Sequence, residues 1–536
     1  MAEIVVRPME VKGQSQEPVR VFCENGVNLL QALLDAGIFV DNACSGKGIC
    51  GKCKVKVLKG SLSETSETEK KVLKEQELAD GIRLSCLAEV TGDVEIALLQ
   101  KERKHKVLTG GYIPEFQKDE HESGYGVAID IGTTTVVTAL IELSTGKEIA
   151  NASMINAQKH FGLDVLTRIT YEYDPKTGVR ELQEAIVKSI NAMLSEVCQE
   201  AGVRRRCIRE IDVAANCTMM HMLLGVDARS IGRAPYKPEF LSARTLPARE
   251  IGIEAAEDTV LYCLPQVSAY IGADIVAGAY VCEMQKAKGN VLFIDIGTNG
   301  EIVLASKGKL LCCSCAAGPA LEGMNISSGM RATEGAVEDV EISEEGITLK
   351  VIGDQTPVGI CGSGILAVLR ELLKSGIVKK TGVFVKKDKL AETDYRYPMI
   401  EMDGIKRQFK MTENLKITQG DVRQVQLAKG AILSGFTALC NKAGIQMEEL
   451  DRVMIAGQFG AHLPADSLTG TGILPKAVED KLVYVGNSSK TGAYMTLMSD
   501  RIKREMEELA EQMEYMELAE TENYERIFTE CMIFPS

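Results

Sequence analysis

The sequence predicts a multidomain chain of α+β and α/β type: a small N-terminal domain built around cysteines, then a larger body made of two copies of one α/β unit. Three observations predict it. Cys44, Cys50, Cys53 and Cys86 stand in the order C-x5-C-x2-C followed by one distant member. Val127 to Thr135 reads VAIDIGTTT, and Leu292 to Gly300 repeats it as LFIDIGTNG. At 536 residues the chain also exceeds what one hydrophobic core accommodates, so two to four domains are expected.

The N-terminal elements come first. Ile4 to Val11 alternates apolar and polar residues as a half-buried strand does, Val19 to Cys23 reads as a second strand, and Val27 to Ala36 has a helical pattern. The cysteine loop follows, and Cys53 to Leu58 resumes as a strand. Thiolates are soft donors suited to iron, and three clustered cysteines plus a distant one form the ligand pattern of a [2Fe-2S] cluster. Ser45, Gly46, Gly48 and Gly51 keep the loop small enough for backbone N–H groups to turn onto an inorganic core. The competing reading is zinc, but zinc sites usually pair two short C-x2-4-C knuckles and only one short pair is present. The gap of five between the first two cysteines resembles the adrenodoxin and putidaredoxin branch, which places a β-grasp [2Fe-2S] ferredoxin domain over residues 1–98.

Residues 99–123 are charged, with a Gly-Gly and a proline, and read as a linker. The body follows, with a first half over 124–288 and a second over 289–536. Each copy of the repeat is an apolar β run ending in Asp-Ile-Gly-Thr that resumes as β, at Val136 to Leu143 and at Glu301 to Ala305, so each predicts a tight hairpin. Phosphate chemistry belongs at such tips. Gly132 and Gly297 let backbone amides approach a phosphate, while Thr133, Thr134, Thr135, Thr298, Asn299, Gly300 and Glu301 supply further loop contacts. Asp130 and Asp295, at the strand ends, are placed to hold Mg2+ through water. A third glycine element, VMIAGQFGAHL over Val453 to Leu463, is a buried strand feeding Gly457, Gln458 and Gly460, a turn that suits an adenosine ring and ribose. No G-x4-G-K-[ST] sequence occurs, which argues against a P-loop site.

Cys315 to Gly323 (CAAGPALEG, with Gly318) and Gly359 to Ile365 (GICGSGI) are glycine-rich turns entering helices, equally readable as anion contacts or close-packed caps. Met219, Met220 and Met222 read as core, His221 as a packed histidine, and Cys312, Cys313 and Cys315 as buried thiols. Leu264 to Ala277 is expected to match, in the first half, the Gly457 turn of the second. Ile502 to Arg526 reads as a charged amphipathic helix packed on the second half.

Composition narrows the function classes. With 45% apolar and 25% charged residues and mean hydropathy of −0.01, the expectation is a soluble globular protein of the cytoplasm. No run nears the ~20 apolar residues of a membrane span, and no basic-then-apolar leader opens the chain. A net charge of −14 argues against a nucleic-acid partner.

The hairpins at Asp130 and Asp295 and the turn at Gly457 resemble the acetate and sugar kinase, Hsp70 and actin superfamily, which implies a duplicated ATPase fold with ATP in the cleft. Taken with the cysteine domain, and with GPALEG, GICGSG and the terminal Phe534-Pro535, the whole chain resembles the reductive activators of corrinoid-dependent methyltransferase systems. That resemblance implies electron transfer from the [2Fe-2S] cluster to a Co(II) corrinoid protein, driven by ATP and Mg2+, with an upstream electron donor and a homodimeric state. It leaves Asp130 or Asp295 to orient water, and Ser363 as a candidate to approach cobalt. Two alternatives stay open: a redox-sensing small-molecule kinase, and an electron-donating activator of a dehydratase-type enzyme.

Overall fold

The computed structural model describes residues 1–7, 18–36, 38, 40, 48, 51, 53–99, 110–121, 123–173, 177–404, 406–457 and 463–535. The chain separates into two compact units, Met1–Lys104 and His105–Ser536.

In the first unit, β1 (Ala2–Arg7) and β2 (Val19–Cys23) pair antiparallel, and α1 (Leu29–Asp35) follows. After β3 (Lys54–Leu62) come α2 (Glu67–Val72), α3 (Glu75–Ala79), β4 (Ile82–Leu84) and β5 (Val90–Leu98). The sheet order is β2-β1-β5-β3-β4, with β1 parallel to β5, a β-grasp arrangement. Alternation puts Ile4 and Val6 of β1 and Val94 and Ile96 of β5 on one buried face. Leu29 and Leu33, one turn apart on α1, complete that core.

An ion pair pins α2 to this sheet. Glu69 is wholly buried and accepts from Arg83 Nε and Nη2 at 3.0 Å each, from Leu84 N at 2.9 Å and from Ser66 N at 3.1 Å. Burial pushes its carboxyl up, but the donations from Arg83, Leu84 and Ser66 prevail and hold it below its ordinary value. Glu69→Ala strands the Arg83 guanidinium, so the unit is expected to lose about 3–5 kcal/mol. Urea unfolding followed through the visible absorbance of the cluster measures this loss.

The second unit holds two sheets of one design. In the first half β6 (Tyr125–Ile131), β7 (Thr135–Glu142) and β8 (Lys147–Ile155) run antiparallel. Then follow α4 (Val165–Tyr171), α5 (Gly178–Ala201), β9 (Ile208–Ala215), α6 (Cys217–Leu224), β10 (Arg244–Pro247), β11 (Val260–Cys263) and α7 (Ala273–Val281). The order is β10-β11-β9-β6-β7-β8, with β9 parallel to β6 and β11 parallel to β9.

The second half repeats this with β12 (Val291–Ile296), β13 (Gly300–Ser306) and β14 (Lys309–Cys315). Two small sheets are inserted next: β15 (Ala336–Ser343), β16 (Gly346–Val351) and β17 (Gly359–Ile360) with α8 (Gly362–Lys374), then β18 (Ile400–Asp403), β19 (Lys406–Lys410) and β20 (Lys416–Thr418). The repeat resumes with α9 (Gln419–Ala443), β21 (Arg452–Ala456), α10 (Ala465–Gly470), β22 (Leu482–Gly486) and α11 (Ser488–Met498). It ends with α12 (Asp500–Gln512), β23 (Met513–Tyr515) and α13 (Tyr524–Cys531), and the sheet order is β22-β21-β12-β13-β14-β23. The fold is thus a β-grasp domain followed by a duplicated α/β body, as the sequence predicts.

Register corrects one expected equivalence. Asp130 lies opposite Ala214 of β9, and Asp295 opposite Ala456 of β21. The counterpart of Gly457 by register is therefore Ala215, at the end of β9. Leu264 to Ala277 follows the outer strand β11 and matches instead the passage from β22 into α11. The two segments both carry glycines after a strand, but strand order separates them. α7 and α11 pack together so closely that a Cβ on Gly492 would meet the Ala277 Cβ at 2.4 Å.

The tail is a second correction. The run from Ile502 to Arg526 divides into α12, β23 and the start of α13. α12 buries Ile502, Met506 and Leu509 in the core that holds the first-half sheet, and it touches α7 of the first half as well as α11 and β23 of the second. Lys503 Nζ reaches Glu210 at 2.6 Å, and the Tyr262 hydroxyl reaches Glu507 at 3.1 Å. β23, on β14, and α13, on α9, pack on the second half.

Of the span read as a linker, the later residues are ordered along this unit. Tyr112 N donates to Val485 O at 2.9 Å, Asp119 N donates to Met498 O at 2.9 Å, and Phe116 meets Tyr494 edge-on at 6.0 Å. Met219, Met220 and Met222 are buried core residues. His221 is packed, with Nδ1 at 2.8 Å from Cys217 O and its ring stacked on Phe240. Cys312, Cys313 and Cys315 are buried strand residues.

Candidate functional site

A cleft of about 770 Å3 lies in the second unit, and both hairpin tips line it. The β6–β7 tip is closed by Gly132 N donating to Thr135 O at 2.9 Å, and the β12–β13 tip by Gly297 N donating to Asn299 O at 2.9 Å. Asp130, Gly132, Thr133, Thr134 and Thr135 enter the cleft wall from the first tip. Asp295, Gly297, Thr298, Asn299 and Glu301 enter from the second, with Gly318 and Gly457 beside them. Gly300 is set back from the wall, buried in β13 where its carbonyl accepts from Cys315 Sγ at 2.8 Å. Gln458 and Gly460 lie outside the described residues.

Gly457 has φ +90°, and a Cβ there would stand 2.5 Å from Asp295 Oδ1 and 2.7 Å from Ile296 O. Only glycine lets this turn pass against the aspartate. Ser363, at the start of α8, is not on the cleft wall; its Oγ lies 3.3 Å from Cys361 Sγ.

The cleft is crowded with carboxylates. Burial, then the charges of Asp295 and Asp130, push Asp274 up to about 8. Burial, then Asp130, pushes Asp295 up to about 7. Burial and the charges of Asp274 and Asp295 push Glu301 well up as well. Burial also raises Asp130, against the pull of Ser489 Oγ at 2.7 Å and Asn487 Nδ2 at 2.9 Å. A site that drives its own carboxylates toward protonation is one that a cation would neutralise.

Several of these groups escape sequence reasoning. Asp274 sits in the segment mistaken for a glycine turn. Asn487, between β22 and α11, and Ser489, in the first turn of α11, lie far along the chain from the aspartate they hold. Glu322, within GPALEG, accepts from the Thr298 hydroxyl. An acidic residue inside a glycine-rich turn is a signal that could have marked it.

In the first unit, Cys53 and Cys86 are buried thiols with their sulfurs 3.2 Å apart. The hydrogen bond with Cys86 outweighs burial and pulls Cys53 down to about 6, toward the thiolate that binds metal. Asn28 Nδ2 holds Cys86 O at 2.9 Å, and Ser85 N holds Cys53 O at 2.9 Å. Gly48 and Gly51 have φ of +72° and +64°, and a Cβ on Gly48 would strike Leu87 at 2.5 Å. Paired soft ligands beside small residues fit an iron-sulfur cluster. Cys44 and Cys50 lie outside the described residues.

Residues 12–91 match a 2Fe-2S iron-sulfur cluster binding domain, 125–287 the RACo middle region, and 289–536 the C-terminal domain of RACo, the ASKHA domain. The chain is 34% identical over 412 residues to the corrinoid activation enzyme RamQ of Eubacterium limosum, covering 74% of this chain and 68% of that protein. It is 25% identical over 396 residues to the [Co(II) methylated amine-specific corrinoid protein] reductase of Methanosarcina barkeri, covering 68% of each. Among solved structures, a reductive activator for corrinoid, iron-sulfur protein matches 100% of this chain and 98% of its own length, with a TM-score of 0.69 and 30% identity. The protein belongs to the family of reductive activators of corrinoid proteins.

Proposed function

We propose that this protein is an ATP-hydrolysing iron-sulfur reductase of the cytoplasm that returns the Co(II) corrinoid of a methyltransferase-system protein to Co(I). The observation that carries the reading is the joining, in one chain, of a 2Fe-2S cluster binding domain to a cleft where two phosphate-type hairpins meet buried carboxylates. Cys44, Cys50, Cys53 and Cys86 hold the [2Fe-2S] cluster, which, when bound, accepts and gives up one electron at a time. An upstream electron donor refills it, and the electron leaves to cobalt.

The N–H groups and hydroxyls of the two tips take the phosphates of ATP, and the Gly457 to Gly460 turn takes the adenosine. Asp130, fixed by Asn487 and Ser489, is the steadier holder of Mg2+. Asp295, to which no described side chain donates, orients the attacking water. Driving one electron up by 100 mV costs about 2.3 kcal/mol. ATP meets this cost if it favours one arrangement of the two halves about the cleft, where α7 meets α11 and α12. The protein works as a homodimer, which light scattering on the purified protein tests.

A pH dependence follows from the carboxylates. Asp274 and Asp295 keep their protons in the folded state up to about 8 and about 7. Their contribution to stability is fully present below the ordinary carboxylate range and is lost as pH rises through those values. The melting temperature of nucleotide-free protein is therefore expected to fall between about pH 4 and pH 8. Added Mg2+, competing with those protons, is expected to raise it more at the upper end. Thermal unfolding across that range, with and without Mg2+, checks both.

The reading as a whole is tested by titrating Mg-ATP into the full chain and following phosphate release with and without a Co(II) corrinoid protein. Saturable binding, with hydrolysis that rises on adding the corrinoid protein, is expected. Transfer of the phosphoryl group to a small acceptor would contradict the proposal and favour a redox-sensing kinase.

A further inference from the structure

The first hairpin tip is held from behind by an arginine that forms no ion pair among the described residues. Arg168, on α4, is wholly buried. Its Nε donates to Gly162 O at 2.9 Å, one terminal nitrogen to Thr133 O at 2.6 Å, and the other meets Met219 Sδ at 3.1 Å. No ion pair among the described residues includes it. Asp164, nearby and exposed, gives Oδ1 to the cap of α4 by accepting from Thr167 N at 2.7 Å. Burial pulls the guanidinium down to about 9 against the opposing charge of Asp164. A buried arginine is ordinarily paired, so its place here calls for an anion that arrives from outside.

Its neighbours point the same way. Asn156 Nδ2 donates to Gly132 O at 2.9 Å, and Asn216 Nδ2 to the Thr133 hydroxyl at 3.0 Å. With the carbonyls of Gly132 and Thr133 drawn into the protein, planar peptides direct the N–H groups of Thr133 and Thr134 the opposite way, into the cleft that both residues line. The second hairpin is built differently: its Thr298 hydroxyl rests on the carboxylate of Glu322.

Resting on the reading of the cleft as an ATP site, we infer that Arg168 is a positioning residue for the nucleotide. It fixes the Thr133–Thr134 peptide with its N–H toward the terminal phosphates, and its unpaired charge, acting through that peptide, makes affinity depend on how many phosphates the ligand carries. The test compares adenosine, Mg-ADP and Mg-ATP binding by calorimetry on the full chain and on Arg168→Met and Arg168→Lys. Arg168→Met is expected to shrink the affinity ratio of Mg-ATP to adenosine by about tenfold or more, with adenosine itself unchanged within about twofold. Arg168→Lys is expected to restore part of the ratio. A folded Arg168→Met with the wild-type ratio would overturn the inference.

Hydrogen exchange on the wild type serves if the methionine variant does not fold. Mg-ADP is expected to slow exchange in residues 133–135 and in α4 together, while adenosine slows neither; protection of the hairpin with α4 unchanged would also overturn it. A wild type that binds no adenine nucleotide would remove the ATP reading and this inference with it. Normal wild-type binding beside an unaltered Arg168→Met ratio removes only the role of Arg168.

Discussion

Asp295→Ala is expected to lower ATP-driven electron delivery on the order of a hundredfold or more, with the visible spectrum of the cluster unchanged. Asp295 ends β12 in register with Ala456, and the Gly457 turn is shaped around its carboxylate. Losing it removes the group proposed to orient water and opens the wall against which the adenosine turn packs. Stability should move the other way. Asp295 is one of the charges that push Asp274 and Glu301 up, so its removal relieves repulsion among buried carboxylates. The variant is therefore expected to melt no lower than wild type while failing to turn over. Steady-state phosphate release and a thermal scan on the same sample separate this from simple misfolding, which would lower both.

Cys53→Ser is expected to remove most of the cluster's visible absorbance and all electron delivery, while Mg-ATP binds within about twofold of wild type. A hydroxyl is a harder, far less acidic ligand than the thiol it replaces. The thiol here stands 3.2 Å from Cys86 in a buried setting held by backbone hydrogen bonds. Nucleotide binding is spared because residues 105–536 form a compact unit with hydrophobic cores of their own. An intact spectrum with full activity would contradict the assignment of Cys53 as a ligand.

What the sequence made legible follows from distance along the chain. The cysteine loop and the hairpins at Asp130 and Asp295 are local patterns: strand alternation, a turn glycine and the aspartate lie within a few residues. The side chains that hold the tips and Asp130 in place are not local. Asn487 and Ser489 meet Asp130 only because α11 folds back beside β6, and Arg168 meets Thr133 only because α4 tucks under the first tip. Leu264 to Ala277 resembles the turn after β21 because its Gly272 also follows a strand, while the strand order that distinguishes the two is a property of the sheet. The polarity of residues 502–526 signalled a helix, but an amphipathic face does not say which half it will cover. α12 goes to the first half because α11 has already carried the chain against α7.

The most direct measurement is anaerobic and single-turnover: chemically reduced protein mixed with a corrinoid protein poised as Co(II), with Co(I) absorbance followed with and without Mg-ATP. The account predicts Co(I) formation that requires Mg-ATP and consumes one electron per cobalt. Co(I) appearing at the same rate and extent without nucleotide would contradict it, leaving the cleft no part in driving the electron.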